Sequence, residues 1–131
     1  ASIAAWSEGL ANACTPLMLD AAADVWPVAA ADAVLCINMV HIAPWEATLG
    51  LMAGAARLLA PGAPLILYGP YRRAGVPTAE SNEAFDLSLK SRDARWGLRD
   101  VEAVTAAAAG FGLESVIEMP ANNLILVYRR T

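Results

Sequence analysis

Three observations predict an α/β fold: a mostly parallel, doubly wound sheet closed by an antiparallel hairpin. Uninterrupted apolar runs alternate with segments of helical periodicity, the pattern of strands joined by crossover helices. Two further runs near the carboxy terminus are separated only by a short Pro/Asn turn, which reads as a hairpin. The 131 residues, 57% hydrophobic and 17% charged, can bury the core of one domain, and residues 1–131 are read as a single domain.

The elements follow in order. Over residues 1–10, Ile3, Trp6 and Leu10 share one helical face, with Gly9 near the stop. Residues 16–20 (PLMLD) form a short apolar run, consistent with a buried strand ending at an acid, and residues 24–27 are a turn-like connector. Residues 33–37 are continuously apolar, the mark of a strand covered on both faces. Pro44 opens a helix, because its missing N–H is not needed in the first turn. Trp45, Leu49, Met52, Ala56 and Leu59 then make one stripe, and Pro61-Gly62 ends it. Residues 64–68 are a third buried strand, broken by Gly69-Pro70, and residues 71–79 are a loop. A helix is expected over 81–92 with Phe85 and Leu89 inward. Another, N-capped by Asp100, runs over 101–109 to Gly110 and Gly112. Residues 113–119 and 124–128, joined by 120–123, form the hairpin.

Charge and cysteine usage narrow the function. The net charge is −4, and the arginines fall in small groups mixed with acids, which argues against a nucleic-acid partner. Two cysteines, Cys14 and Cys36, do not make a disulfide scaffold, so a reducing, cytoplasmic setting is expected. No run reaches the ~18 apolar residues of a membrane span, and no charged-then-apolar leader is present. A small-molecule substrate is expected, with no nucleic acid and no membrane.

In open α/β sheets ligands sit beyond the carboxyl ends of the parallel strands. Asp20 follows the first strand; Asn38, His41 and Trp45 follow the second; Tyr68, Tyr71, Arg72 and Arg73 follow the third. Asn122 and Asn123 lie in the hairpin turn on the same side, so these residues are expected to converge on one rim. His41, the sole histidine, suits a general base at its ordinary pKa of ~6.5, although a lone histidine equally serves as a local hydrogen-bonding residue. No metal site is expected, because no second histidine or paired cysteine accompanies it. Arg72 and Arg73 can clamp a carboxylate or phosphate, or simply stand at the surface. Asn122 and Asn123 can offer donors and acceptors to a planar group, or close the turn. Phe85, Asp86 and Trp96 lie where a substrate lid would be. There is no Gly-x-Ser-x-Gly elbow.

Four stretches carry a resemblance: AVLCINMVHIAPW (33–45), LYGPY (67–71), SNEAFD (81–86) and MPANNL (119–124). Together they resemble a family of uncharacterised methyltransferase-like proteins, a domain of unknown function within the class I S-adenosylmethionine-dependent methyltransferases. The resemblance spans nearly the whole chain. It implies a Rossmann-like class I sheet and S-adenosyl-L-methionine as cofactor. Asp20 would accept a hydrogen bond from the adenine amino group, with the Ala21 N–H meeting the ring. Asn38 and Met39 would lie along the methionine part of the cofactor, and Trp45 would be a lid over it or a core aromatic. His41 and Tyr71 would be catalytic; Tyr68, Arg72, Asn82, Asn122 and Asn123 would hold the substrate.

The chain departs from that pattern at its start. Such proteins open with a strand and a glycine-rich loop, then a second strand ending in an acid. Of the nine glycines only Gly110 and Gly112 form a close pair, and they follow a helix. The chain therefore reads as the carboxy-terminal two-thirds of the domain, with the first two strands missing. Strand 33–37 would then expose an apolar edge that invites self-association, unless strand 17–20 closes onto it. Methyl transfer is a direct displacement that needs alignment in a dry pocket more than it needs a triad. The leading expectation is methyl transfer to a small-molecule acceptor by the intact domain; the alternative is a non-catalytic methyltransferase-like interaction module. A nicotinamide-dependent oxidoreductase fits poorly, since its glycine fingerprint is absent as well.

Overall fold

The computed structural model describes residues 2–131; Ala1, the first residue of the expected opening helix, lies outside them. The elements are α1 (Ile3–Trp6), β1 (Val34–Ile37), α2 (Trp45–Leu58), β2 (Pro64–Gly69), β3 (Tyr71–Arg72), α3 (Glu80–Arg92), β4 (Arg99–Asp100), α4 (Val101–Ala107), β5 (Phe111–Met119) and β6 (Asn123–Arg130). A 3-10 turn, Pro120–Asn122, joins the last two strands. Among the described residues no helix is long and apolar enough to cross a membrane.

The main sheet has the order β1-β2-β6-β5. β1 and β2 are parallel, with Val34 opposite Leu65 and Ile37 opposite Tyr68. β2–β6 and β6–β5 are antiparallel. The expectation of a mostly parallel sheet is thus corrected: one of its three pairings is parallel. The α2 crossover makes that pair, and the closing hairpin contributes the other two. β3 and β4 pair in parallel as a separate two-residue ladder, where a plain loop was expected.

Helices cover one face of the sheet. Leu65, Leu67, Leu126 and Tyr128 are fully buried there, against Leu51, Met52 and Ala55 of α2 and Val104 of α4. Burying each large apolar side chain contributes about 1.5–3 kcal/mol. The Tyr128 hydroxyl meets Thr105 Oγ1 at 2.9 Å, so the polar end of this buried ring is paired. The buried stripe of α2 is Thr48, Leu51, Met52 and Ala55; Leu49, expected inward, is 44% exposed. Trp26 and the backbone of Ala21 and Ala22 pack directly on α2 at Gly54 and Gly50. A Cβ at either glycine would lie 2.3 Å from the Trp26 ring or 2.2 Å from the Ala21 carbonyl oxygen, so only glycine fits.

Two strand expectations fail, one for want of a pairing strand and one for want of cover. Residues 16–20 form no strand, and Leu17, Met18 and Leu19 are exposed. A strand's N–H and C=O groups need a neighbour's, and none of the described strands lies beside this segment. It does not close onto β1, which remains an edge strand. Nor is β1 covered on both faces: Cys36 is buried, whereas Leu35 and Ile37 are each 62% exposed. The helix at the amino end stops at Trp6, and Ile3, Trp6 and Leu10 are all exposed.

Candidate active-site cleft

The parallel pair β1–β2 ends where both strands hand the chain to tight loops. Asn38 follows β1 in the left-handed region at φ 55°, and its N–H donates to the Tyr68 carbonyl at 2.9 Å. The turn brings His41 back beneath β2. Gly69 permits this approach: a Cβ there would sit 3.2 Å from the His41 ring atoms Cε1 and Nδ1. The 3-10 turn of the hairpin supplies Ala121 at φ 59° and Asn122 at φ 57°. For an alanine this is a costly conformation, about 1–3 kcal/mol above a relaxed one, held by its surroundings.

The three non-glycine residues that are left-handed among the described residues line one cleft of ≈ 580 Å³, together with His41, Ile42, Tyr68, Pro70, Ser81, Asn82, Phe85 and Asn123; the three are Asn38, Ala121 and Asn122. That size suits a small-molecule site. His41 is 4% exposed, its Nδ1 has no hydrogen-bond partner, and its ring meets Phe85 edge-on, with centroids 5.7 Å apart and planes at 64°. Burial, and secondarily the Arg99 guanidinium, hold its pKa below the ordinary histidine value, so the imidazole is neutral at neutral pH. Asn82, 8% exposed, donates through Nδ2 to the Asn122 carbonyl at 3.2 Å. Asn123 Nδ2 donates to the Pro120 carbonyl at 3.2 Å. The amide wall is therefore built from α3 and the hairpin turn together.

A second, smaller cleft of ≈ 200 Å³ shares Asn82, Asn122 and Asn123 and is lined on its far side by Tyr71, Arg72, Arg73 and Glu118. Three assignments made there change. Tyr71 is 6% exposed in the core cluster, and burial drives its phenol far above the ordinary range, which removes it as a proton acceptor near neutrality. Arg72 is not a free clamp: its guanidinium grips Glu83 with both terminal nitrogens, Nη2 to Oε2 at 2.8 Å, and reaches Asp86 at 3.2 Å and Thr78 at 3.1 Å. Arg73 pairs with Glu118 at 2.9 Å. Asp86, expected near a substrate lid, is a structural hub. It accepts from the Leu98 N–H at 2.8 Å and pairs with Lys90 and Arg72, and Gly97 passes so close that a Cβ would lie 2.8 Å from its Oδ1.

Of the five residues expected along a cofactor, only Asn38 opens on the larger cleft. Asp20 turns its carboxylate onto its own Ala22 N–H at 2.9 Å, and Ala21 packs on Gly50. Met39 packs against the core, and Trp45 carries the Arg99 guanidinium 5.5 Å above its ring. His41, Tyr68, Asn82, Asn122 and Asn123 do share one cleft with Asn38. Ala121, Ser81 and Pro70 join them; each lies in a stretch that carries the resemblance, but its residue type alone marks no site, and a left-handed alanine looks like any other.

Solved structures share this architecture. LaPhzM matches 98% of the chain at TM-score 0.77 and 17% identity, over 38% of its own length. The mitomycin 7-O-methyltransferase MmcR matches 77% at TM-score 0.68 and 19% identity, over 30% of its length. CalO1, a methyltransferase in calicheamicin biosynthesis in its SAH-bound form, matches 79% at TM-score 0.67 and 16% identity, over 31% of its length. The fold is methyltransferase-like, and the chain spans well under half the length of these structures. The match of residues 1–130 to the family model described as Protein of unknown function (DUF938) places the chain in that family, to which it belongs.

Proposed function

We propose that the domain to which this chain contributes transfers a methyl group from S-adenosylmethionine to a small-molecule acceptor, with His41 taking the acceptor's proton. The observation that carries this reading is the convergence of a buried, neutral histidine and three left-handed residues on one cleft at the ends of β1 and β2. Strained backbone and shifted ionisable groups gather where chemistry is done. The order β1-β2-β6-β5 and its pairing directions fit the fourth, fifth, seventh and sixth strands of the class I sheet. On that alignment, the first strand and its glycine-rich loop would pair with the free edge of β1 and supply the cofactor half of the site. Unpaired Cys14 and Cys36 are consistent with a reducing cytoplasm.

The test begins with the reading frame upstream of Ala1. The longer chain should bind S-adenosylmethionine by calorimetry, and His41→Asn should cut methyl transfer about 10²–10⁴-fold while leaving cofactor affinity unchanged. A longer chain that binds no S-adenosylmethionine overturns the proposal. The non-catalytic interaction module would then take its place, since the uncovered face of the sheet presents Leu35, Ile37, Ile66 and Ile125 as an apolar surface.

A further inference from the structure

Arg99 is half-buried and is held by carbonyls rather than by an acid. Its guanidinium lies 5.5 Å above the Trp45 ring, and Nη2 donates to the main-chain carbonyls of Ala43 at 3.0 Å and Arg95 at 2.7 Å. Nε is buried without a partner. Among the described residues no carboxylate pairs with it. A desolvated cation with a stranded N–H is costly, and an acid would satisfy it better.

His41 gives this arrangement a use. One segment takes two carbonyls of the turn between β1 and α2: the Gly97 N–H donates to the His41 carbonyl at 3.0 Å, and Arg99 donates to that of Ala43. The segment is fixed from two sides. The Leu98 N–H goes to Asp86 of α3, and Arg99 stands opposite Tyr71, a core residue, in the β3–β4 ladder. The His41 ring itself has less support. Its Nδ1 has no hydrogen-bond partner, and it meets Phe85 edge-on. Its place at the cleft therefore depends on how its backbone is held.

The charge of Arg99 matters as well. Around the ring, β1 and β2 contribute Cys36 and Tyr68, and α2 begins with the exposed Glu46. Glu83, Asp86 and Lys90 of α3 pair with Arg72 or with each other. After burial, Arg99 is the influence that holds the imidazole below its ordinary value. A carboxylate on Arg99 would cancel that field.

We propose that Arg99 is a positioning residue for His41: with Gly97 it grips two carbonyls of the turn 38–44 and so holds the imidazole at the cleft. The positioning stands on these contacts; its use in proton transfer rests on the methyl-transfer reading.

The experiment compares Arg99→Met and Arg99→Lys with the parent full chain by NMR. Arg95→Met is the control: it removes an exposed neighbouring charge, paired with Asp93, and leaves the Arg95 carbonyl in place. Arg99→Met keeps an aliphatic stem but neither charge nor donor. It should weaken the His41–Phe85 ring contact, raise the midpoint of the His41 titration and speed amide exchange at Gly97 by about tenfold. Arg99→Lys keeps the charge without the planar fork, so it should lose part of the ring contact and titrate below Arg99→Met. A role in folding alone would not separate the two variants by their midpoints. The proposal is overturned if Arg99→Met leaves the ring contact and the Gly97 exchange unchanged, if its midpoint does not rise, or if Arg95→Met produces the same changes. Should Arg99→Met fail to fold, Arg99→Lys decides, and a parental His41–Phe85 contact in that variant overturns the proposal. In the longer chain with S-adenosylmethionine, Arg99→Met should lower kcat by about 10²-fold, more than it raises KM. Displaced His41 signals in a chain that never transfers methyl would keep the positioning and sink methyl transfer. Parental transfer by Arg99→Met, with parental His41 signals, would keep methyl transfer and sink the positioning.

Discussion

Replacing Asp86 with alanine removes the acceptor at the centre of the α3–β4 corner. Asp86 is 3% exposed, and its carboxylate receives the Leu98 N–H at 2.8 Å and pairs with Lys90 and Arg72. A hydrogen bond to a charged buried group contributes about 1.5–3 kcal/mol, and the Leu98 N–H would be left buried without a partner. Arg72 keeps Glu83, and Lys90 is half-exposed and can turn to water, so the ionic share is small. The sum is about 3 kcal/mol, at the lower end of what breaking a buried pair costs. For a chain of this length that is a fall in Tm of roughly 10 °C. Asp86→Asn retains an oxygen for Leu98 and should lose about half as much. Urea denaturation at neutral pH measures both. The reasoning is refuted if Asp86→Ala lies within about 0.5 kcal/mol of the parent chain, or if the asparagine variant loses as much as the alanine variant. The pH dependence follows from the same contacts. Burial pushes the Asp86 carboxyl up, but the Lys90 ammonium, the Leu98 N–H and Arg72 outweigh it and hold the group below its ordinary value. Its stabilisation is therefore complete above the unfolded pKa of about 3.9 and is lost as pH falls through the lower folded value. Acid unfolding of Asp86→Asn should be correspondingly flatter in that window.

Three further outcomes are expected. Alkylation of the native chain at mildly alkaline pH should label exposed Cys14 and spare Cys36, whose thiol is buried and pushed up to about 11; equal labelling rates by mass spectrometry would contradict the packing of β1. Gly69→Ala should displace the His41 ring, because its Cβ would stand 3.2 Å from two ring atoms; a perturbed His41 NMR spectrum and about 1 kcal/mol of lost stability are the expected readings, and an unchanged spectrum would refute the contact. Leu35→Lys with Ile37→Lys, both on the uncovered sheet face, should change stability by no more than about 1 kcal/mol in total while reducing the self-association expected of the 131-residue chain. Light scattering that finds the parent chain monomeric at high concentration would count against that expectation.

Much of the rim is legible in the sequence. The strand end at Asn38, the turn at Asn122 and the lone His41 lie where an open α/β sheet gathers its ligands, and they do share a cleft. Tyr71 and Arg72 show the limit of that logic. Both follow β2 in sequence, yet the β3–β4 ladder carries them away: one into the core, the other onto Glu83 and Asp86. Chain position after a strand says which end of the sheet a residue occupies, not which way its side chain turns.

The sequence by itself determined the local elements: β1, α2, β2, α3, α4 and the closing hairpin all follow from periodicity and from Pro, Gly and Asn punctuation. These signals are local, since an apolar run or a helical stripe is written within a dozen residues. Only the tertiary structure decided which of these elements found partners. Residues 16–20 carry a strand's composition but have no neighbouring strand to take their hydrogen bonds. β1 carries the composition of a doubly covered strand but has helices on one face alone. Pairing and cover depend on groups distant in sequence, and so does the left-handed Ala121, whose strain the packing of the hairpin turn holds in place.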